Sequence, residues 1–345
     1  MKKRAICVGI NNYPGTYNDL NGCINDANDW KELLRNDFDF GRVSVITDEN
    51  ATRQNILIAL NHIVTEAGPG DVVVFTYSGH GTSVPDRGKF DEADNRDEAI
   101  CAYDGNITDD EVRKIIRRIN RNAHLAIISD SCHSGTVTRS ALERTYDADK
   151  EAAKNAPKAR YMPPKDDINA IRVGMLPPRQ RIMYPESDMP EILLSGCNAN
   201  EYSYDAYMNG RYNGAMTATA INLIKSNPGQ TYGELHKKLR QLLPSASYPQ
   251  SPQLEGSKSN KNRKLFAFTE GEVVATTGLK AAVTVSTLNI RSGPGVDHQE
   301  IGNLYKDDVV NVINMDGKEM WVEIEPGKWA ALAYDGEQYM KLKCD

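Results

Sequence analysis

The chain has 345 residues, more than one ordinary core accommodates, which predicts a larger and a smaller unit. Hydrophobic residues make up 40% and charged residues 26%, a mix that argues against a disordered chain. The net charge of −6 argues against nucleic acid as the main partner, because phosphates are bound by strongly basic surfaces.

The six cysteines are scattered, without a CxxC pair or a regular spacing, which favours reduced thiols over a disulfide framework or a zinc knuckle. A basic start at residues 1–4 precedes an apolar run at 5–10 that is too short for a signal peptide. Apolar runs of membrane-spanning length do not occur. We therefore expect a soluble, cytoplasmic protein without a membrane partner.

From the start of the chain, short apolar runs alternate with helical patterns. The patterns predict strands at 5–10, 43–46, 71–77 and 124–129 and helices at 25–34, 54–65 and 109–119. Thr108 and Glu111 form a capping box that places the start of the third helix. Such alternation predicts an α/β fold with a mostly parallel sheet covered by helices on both faces.

The segment 139–190 interrupts this alternation, because it is rich in charged residues and proline and has little apolar periodicity. We interpret it as a long exposed loop. A strand at 191–197, helices at 214–225 and 232–243 and a last strand at 264–268 follow, with Thr231 and Glu234 as a second capping box. The first domain is thus expected at 1–270.

After residue 278 the pattern changes to short segments of period two, separated by Gly, Pro, Asn and Asp. They predict strands at 283–286, 289–291, 309–313, 321–324 and 329–333. Short strands at even spacing predict a small antiparallel β-barrel at 279–345 as a separate domain.

Two chemically distinctive segments directly follow strands of the predicted parallel sheet. Ser78-Gly79-His80-Gly81 follows one strand, and Asp130-Ser131-Cys132-His133-Ser134-Gly135 follows another. Ligands of open α/β sheets bind at the carboxyl ends of the strands. If the two strands are neighbours, His80 and Cys132 meet there.

A histidine and a cysteine at such a position suit nucleophilic catalysis. Only the thiolate is a good nucleophile, and an imidazole within hydrogen-bonding range serves as base for the thiol and as acid for the leaving amine. The backbone amides of Gly81 and Cys132 are candidates for stabilising the oxyanion.

Alternatives to this pair stay open at this point. Singly, the histidine would be a turn residue and the cysteine a buried small hydrophobe. His133 is a weaker base, since adjacent residues point in different directions, and Ser131 lacks a distinct base as nucleophile. A metal site of His80, Cys132 and His133 lacks a convincing fourth ligand.

At these residues the sequence resembles the metacaspases and their bacterial relatives in the caspase clan. The family signatures, Tyr-Ser-Gly-His-Gly and Asp-x-Cys-His-Ser-Gly, occur here at 77–81 and 130–135. A caspase histidine lies about 50 residues before its cysteine, and this chain has the same separation. The resemblance covers about residues 4–269, including 20–27 and the 195–197 strand end, and implies a caspase-type fold and cysteine endopeptidase activity.

Metacaspases accept arginine or lysine before the cut, in an acidic pocket. The resemblance implies that Asp26 and Asp130 hold the basic side chain and that Cys23 and Ser78 line the pocket. A carboxylate pair favours a guanidinium, so protein or peptide substrates with basic residues are expected. The alternative for Asp26 is an ordinary acid at the start of a helix.

Some family members bind calcium through four aspartates outside the active site. Asp97, Asp109 and Asp110 match three of these positions, but the fourth is Arg139, a cation where a carboxylate is needed. Asp109 and Asp110 also suit the first turn of a helix. We expect no required cofactor, with calcium binding left open.

The family commonly cuts itself after a basic residue between the large and small parts of the domain. The 139–190 segment suits such a site if it is exposed. The resemblance gives as self-cleavage candidates Arg144, Arg160, Arg172, Arg179 and Arg181, and the sequence does not choose among them.

The segment 288–295, followed by Trp321 and Trp329, resembles the bacterial Src-homology-3-like domain. Such domains usually bind peptides or cell-wall peptidoglycan. For a cytoplasmic protein we favour a peptide, a partner or an intramolecular role, with an unknown ligand.

The leading hypothesis is therefore an endopeptidase that cleaves after Arg or Lys through His80 and Cys132. The second hypothesis is a non-catalytic caspase-fold adaptor that acts through its C-terminal barrel, against which the presence of both candidate residues argues. By analogy with metacaspases we expect a monomer.

Overall fold

The computed structural model describes most of two separate units, which span 1–268 and 269–345. In the first unit it describes 1–15, 18–85, 96–132, 157–162, 186–198, 201–208 and 210–267. In the second unit it describes 279–312, 314–316, 321–325, 327–334 and 337–344.

A six-stranded sheet forms the centre of the first unit. Its strands are β1 (Lys3–Gly9), β2 (Arg42–Thr47), β3 (Val72–Ser78), β7 (His124–Asp130), β9 (Glu191–Ser195) and β12 (Gln253–Glu255). They lie in the order β12-β9-β7-β3-β1-β2. All neighbours are parallel except β12, which pairs antiparallel with β9 at one edge. Because β3 and β7 are buried along their whole length, their sequences are nearly continuous apolar runs.

Helices cover both faces of this sheet, which confirms the predicted α/β architecture. Among the described residues of this unit they are α1 (Cys23–Phe38), α2 (Arg53–Thr65), α3 (Asp109–Ile116), α4 (Ala215–Ser226), α5 (Tyr232–Leu242) and α6 (Lys258–Asn262). One core packs α1, α4 and α5 against alternate strand residues such as Ala5 and Cys7. The other packs α2 and α3 against Ile6 and Val8.

Both predicted capping boxes are present. The Thr108 hydroxyl accepts a hydrogen bond from the Glu111 amide at the start of α3, and Glu111 bonds back to the Thr108 amide. Thr231 and Glu234 do the same for α5. Within the part of the chain that the structure describes, no helix combines the length and apolarity needed to cross a bilayer.

Two small antiparallel sheets, which sequence periodicity did not predict, flank the central one. The first contains β4 (Gly81–Pro85), β5 (Arg96–Ala102) and β6 (Gly105–Thr108). The second contains β8 (Lys158–Ala159), β10 (Tyr204–Met208) and β11 (Arg211–Gly214), with β10 in the middle. Both begin or end beside the carboxyl edge of the central sheet.

The predicted strand at 264–268 is wrong over the residues described. Lys264 makes only an isolated bridge with Thr231, and the positive φ of 51° at Phe266 ends any extended run. The segment is apolar because Leu265 and Phe266 fill the core, where the Phe266 ring packs edge-on against that of Phe38.

The predicted exposed loop at 139–190 needs a correction at 157–162. This short segment lies in the fold: Lys158 and Ala159 form β8, Arg160 is fully buried and Tyr161 is 8% exposed. Its strand pairing and a buried ion pair, described below, hold it there. The rest of the loop up to residue 185 lies outside the described residues.

The second unit is built from antiparallel strands, as predicted. They are β13 (Leu279–Val283), β14 (Thr287–Arg291), β15 (Glu300–Tyr305), β16 (Val309–Asn311), β17 (Asn314–Asp316), β18 (Trp321–Glu325), β19 (Lys328–Ala331), β20 (Ala333–Tyr334), β21 (Glu337–Gln338) and β22 (Met340–Cys344). All their pairings are antiparallel. The predicted strand at 283–286 is displaced, since β13 ends at Val283. Trp321 and Val322 lie in a separate small core.

Candidate active site

The register of the central sheet brings the two predicted catalytic residues to one edge. Ser78 at the end of β3 pairs with Asp130 at the end of β7. His80 and Cys132 each follow two residues later, so they occupy equivalent positions beyond adjacent strands. Both are buried, with 2% and 0% of their surface exposed.

The segments that carry the two residues meet at one backbone carbonyl, that of Arg160. Its oxygen accepts hydrogen bonds from the amide of Gly81 at 2.9 Å and from the amide of Cys132 at 3.2 Å. The amides of Gly81 and Cys132 are the two that were predicted from the sequence to stabilise an oxyanion. A Cβ atom on Gly81 would overlap the carbonyl oxygen of Cys132, so only glycine permits this approach.

The backbone of His80 is fixed by two tyrosines. The His80 amide donates to the Tyr13 hydroxyl at 2.8 Å, and the Tyr77 hydroxyl donates to the His80 carbonyl at 2.7 Å. On the side chain, Nε2 bonds to the backbone carbonyl of Asn18. This bond leaves Nδ1, a buried atom for which the described residues provide no hydrogen-bond partner.

Burial lowers the pKa of His80 from 6.5 to about 4. Among the charged groups nearby, the Arg160 guanidinium lowers this pKa further and the Asp205 carboxylate raises it, as do the carbonyls of Asn18 and Arg160. The imidazole is therefore neutral at neutral pH, the form that can accept a proton.

The sulfur of Cys132 lies against the backbone of Ser203. The Ser203 amide donates to Sγ at 2.7 Å, and the thiol lies 3.3 Å from the Ser203 carbonyl oxygen. That same carbonyl accepts the amide of Arg160 at 2.9 Å. One backbone unit thus contacts both the thiol and the segment that carries the Arg160 carbonyl.

The Arg160 side chain occupies a closed acidic pocket. Its Nη2 lies 2.7 Å from an oxygen of Asp26 and 3.1 Å from one of Asp205. Its Nη1 lies 3.5 Å from a carboxylate oxygen of Asp130 and donates to the Asp130 carbonyl at 3.1 Å. All four side chains are at most 1% exposed, so one guanidinium faces three carboxylates in a dry site.

Neighbouring donors hold the two predicted pocket acids in place. Asp26 accepts hydrogen bonds from the Asn213 side chain and the Gly214 amide. Asp130 accepts from the amide and hydroxyl of Thr217. Burial raises the pKa of Asp26, and the Arg160 guanidinium opposes that rise.

Asp205 is the pocket residue that sequence reasoning missed. Its carboxylate also accepts the amides of Asn21 and Gly22, just before α1. The local pattern around it, Tyr-Asp-Ala-Tyr, indicates a strand. From the sequence alone, an acid on such a strand is expected to face solvent, because the pairing of β10 is not known.

The other two predicted pocket residues lie close by. Cys23 is buried, and the charge of Arg160 acts on it: burial raises the pKa of its thiol and the guanidinium lowers it in part. Ser78 is buried opposite Asp130 in the sheet. No hydrogen bond between Ser78 and Arg160 is present among the residues described.

The structure does not support the alternatives to the His80 and Cys132 pair among the described residues. Ser131 is buried, and its hydroxyl lies 2.9 Å from that of Ser129. His133 lies outside the described residues. Within the ranges described, no three histidine, cysteine or acidic side chains gather as a metal site.

The three aspartates considered for calcium do not form a cation site in the described structure. Asp109 and Asp110, in the first turn of α3, pair with the guanidinium of Arg113 at 2.8 and 3.2 Å. Asp97 lies on β5. Arg139, the fourth position considered for calcium, lies outside the described residues, so calcium binding stays a prediction.

Of the five self-cleavage candidates, only Arg160 lies among the described residues. Arg144, Arg172, Arg179 and Arg181 lie outside them. The structure thus gives Arg160 a definite position, with its carbonyl between the two amides and its side chain in the acidic pocket.

Comparison with known proteins identifies the family of this chain. The family described as metacaspase, peptidase C14 domain, matches residues 3–140, and the bacterial SH3 domain matches 286–337. Metacaspase-1 of Candida albicans is 32% identical over 77% of this chain and 67% of its own length. Metacaspase-1B of Aspergillus fumigatus is 32% identical over 74% of this chain and 70% of its own. A crystal structure of a Geobacter sulfurreducens protein is 26% identical, with a TM-score of 0.58, and covers 78% of this chain and all of its own. The chain therefore belongs to the metacaspase family and is a caspase-like cysteine peptidase.

Proposed function

We propose that this peptidase cleaves after arginine or lysine by a His80–Cys132 dyad and that it cuts its own Arg160–Tyr161 bond. One observation carries the proposal. The Arg160 carbonyl lies between the amides of Gly81 and Cys132 while its guanidinium lies among three buried carboxylates. A peptide bond held by both its carbonyl and its preceding side chain is held as a substrate would be.

The chemistry follows from the groups around this carbonyl. The Cys132 thiol gives its proton to the neutral His80, and its sulfur bonds to the Arg160 carbonyl carbon. The oxyanion that forms accepts the two amide hydrogen bonds. His80 then gives the proton to the Tyr161 nitrogen as the carbon–nitrogen bond breaks. Water, deprotonated by His80, attacks the thioester, and the sulfur leaves and regains a proton.

The positioning of His80 supports its role as base and acid. Because the Asn18 carbonyl fixes Nε2 as the protonated nitrogen of the neutral ring, Nδ1 carries the free lone pair. Nδ1 has no hydrogen-bond partner among the described residues, and His80 directly precedes Gly81, whose amide donates to the Arg160 carbonyl. A proton acceptor next to the reacting carbonyl is what the thiol requires.

The charges of the pocket support the preference for basic residues. Three carboxylates in a site from which water is excluded attract a guanidinium and repel an acidic side chain. An uncharged side chain would leave them without a cation, which costs about 3–5 kcal/mol for a broken buried pair. Arginine should surpass lysine, because its two Nη atoms reach different acids.

Reporter peptides that end in Ala-Arg, Ala-Lys, Ala-Gln and Ala-Asp test the proposal. We expect hydrolysis of the first two and loss of activity in Cys132→Ala and His80→Ala. The matched control is Cys7→Ala, at a buried cysteine within β1. Equal cleavage after aspartate, or activity that survives Cys132→Ala, would contradict the proposal.

Self-cleavage has a separate test. The segment 157–162 is already bound in the same chain, so the rate should be first order and independent of protein concentration over a dilution series. Arg160→Lys should slow the cut, and Arg160→Gln should abolish it at this bond. A rate that rises with concentration would instead indicate cleavage between molecules.

A further inference from the structure

The residues after the Arg160 carbonyl are held as firmly as those before it. Tyr161 is 8% exposed and lies in an apolar cluster with Cys132 and Cys197. The ring of Tyr202 packs against this cluster, with its centroid 6.0 Å from that of Tyr161. The Tyr161 side chain thus fills a small pocket that adjoins the thiol.

The backbone continues in register past this pocket. Tyr161 forms a parallel bridge with Gly81, and the Met162 amide donates to the Gly81 carbonyl at 2.9 Å. The Met162 side chain then packs against the core formed by α2 and α3. Gly81 therefore contributes its amide to the Arg160 carbonyl and its own carbonyl to the residue after Tyr161.

The residues before Arg160 are held differently. Lys158 and Ala159 pair with β10 through the backbone. The Lys158 amine donates to the Asp19 carbonyl at 3.0 Å in an exposed contact, and Ala159 has only a methyl side chain. Side-chain recognition is thus concentrated at Arg160 and the two residues that follow it.

The charges around the pocket disfavour an acid there. The Cys132 thiol and burial raise the pKa of the Cys197 thiol, and the carboxylates of Asp130 and Glu201 add smaller contributions in the same direction. A carboxylate in the place of the Tyr161 ring would lose its water and face those charges. An aromatic ring instead buries its apolar surface against Cys197 and Tyr202.

We propose that Cys197 and Tyr202 form a subsite for an aromatic side chain in the residue directly after the cut. The preferred substrates are then proteins with an arginine–aromatic bond followed by an apolar residue. This inference rests on the proposed arginine-directed peptidase activity. It adds a selection on the leaving side of the bond that the acidic pocket does not provide.

Internally quenched peptides test it. They carry Pro-Gln-Ala-Arg, in which arginine is the one basic residue, followed by Tyr, Phe, Ala or Asp and then Met. The kcat/KM of each is measured on the wild-type chain, with Cys132→Ala as blank. Tyr and Phe should exceed Ala by about 10- to 50-fold, since a buried aromatic contributes one to two factors of ten. Asp should lie below Ala.

Variants of Tyr202 locate the effect. Tyr202→Ala should reduce the Tyr-to-Ala ratio of kcat/KM to about threefold or less, while Tyr202→Phe, which keeps the ring, should retain it. The matched control is Tyr207→Ala, at a tyrosine of β10 that is 43% exposed and pairs with Tyr212. It should leave the ratio unchanged.

The outcomes separate this inference from the proposed function. If the wild-type chain cuts none of these peptides, the arginine-directed activity itself fails. If it cuts the Tyr, Ala and Asp peptides with equal kcat/KM, the subsite is refuted and the activity stands. A Tyr-to-Ala ratio of kcat/KM that is unchanged in Tyr202→Ala also refutes the subsite. If the alanine variant unfolds, the ratio of the folded Tyr202→Phe variant is compared with that of the wild-type chain instead.

Discussion

Asp205 offers a sharp test of the acidic pocket, because the sequence did not single it out. Its Oδ1 accepts hydrogen bonds from Nη2 of Arg160 at 3.1 Å and from the Gly22 amide at 3.0 Å. Its Oδ2 accepts a hydrogen bond from the Asn21 amide at 2.8 Å. In Asp205→Asn the shape is kept and the charge is lost. The new NH₂ group must also face one of these donors.

The expected loss follows from that geometry. A buried hydrogen bond to a charged group contributes about 1.5–3 kcal/mol, and a donor facing a donor adds to the cost. We expect a loss of about 2–4 kcal/mol in binding the transition state of an arginine substrate, or about 30- to 1000-fold in kcat/KM. The kcat/KM of glutamine substrates should change little, so the ratio of kcat/KM for arginine over glutamine substrates should fall by a similar factor.

The assay is kcat/KM on matched arginine and glutamine peptides, with the thermal unfolding midpoint measured alongside. The control is Asp29→Asn, because Asp29 lies one turn after Asp26 on α1 and pairs with Arg211 and Asn213 rather than with Arg160. A change below about threefold in a folded Asp205→Asn enzyme would refute the reasoning, since an effect of 2 kcal/mol is about 30-fold.

Three further outcomes are expected. Gly81→Ala forces a methyl group into the Cys132 carbonyl, so kcat should fall about 100- to 1000-fold, as for a lost oxyanion donor, while Gly41→Ala, with open space around it, should have no effect. Because burial lowers the pKa of His80 to about 4, self-cleavage of newly synthesised chain should persist well below about pH 6.5, where an ordinary histidine becomes protonated. A self-cleavage rate that already falls near about pH 6.5 would contradict the lowered pKa of His80. Since Arg113 already neutralises the two acids at the start of α3, chelator and added calcium should change the cleavage rate by less than about twofold, and a strict calcium requirement would contradict this assignment.

The parallel sheet could be predicted because its central strands β1, β3 and β7 are buried on both faces and are therefore apolar runs. Strand ends at Ser78 and Asp130 could be located from the apolar runs before them, and the parallel register then places His80 near Cys132. The start of α3 could also be predicted, because the capping box of Thr108 and Glu111 consists of hydrogen bonds between residues close in sequence.

Features that depend on long-range pairing could not be predicted. The acid Asp205 enters the pocket only because β10 pairs with β8 and β11, and nothing in the local periodicity encodes those partners. The burial of Arg160 is a second case. A basic, proline-rich segment is expected to be exposed. The burial of Arg160 depends on three carboxylates that are distant in sequence and surround its guanidinium.

The most direct test of the account is the identity of the ends produced by self-cleavage. Purified full chain, incubated and analysed by intact mass and N-terminal sequencing, should yield a fragment that ends at Arg160 and another that begins with Tyr161-Met162, and Cys132→Ala should remain whole. A wild-type chain cut elsewhere in 139–190 while the Arg160–Tyr161 bond stays intact would contradict the claim that this bond occupies the catalytic centre.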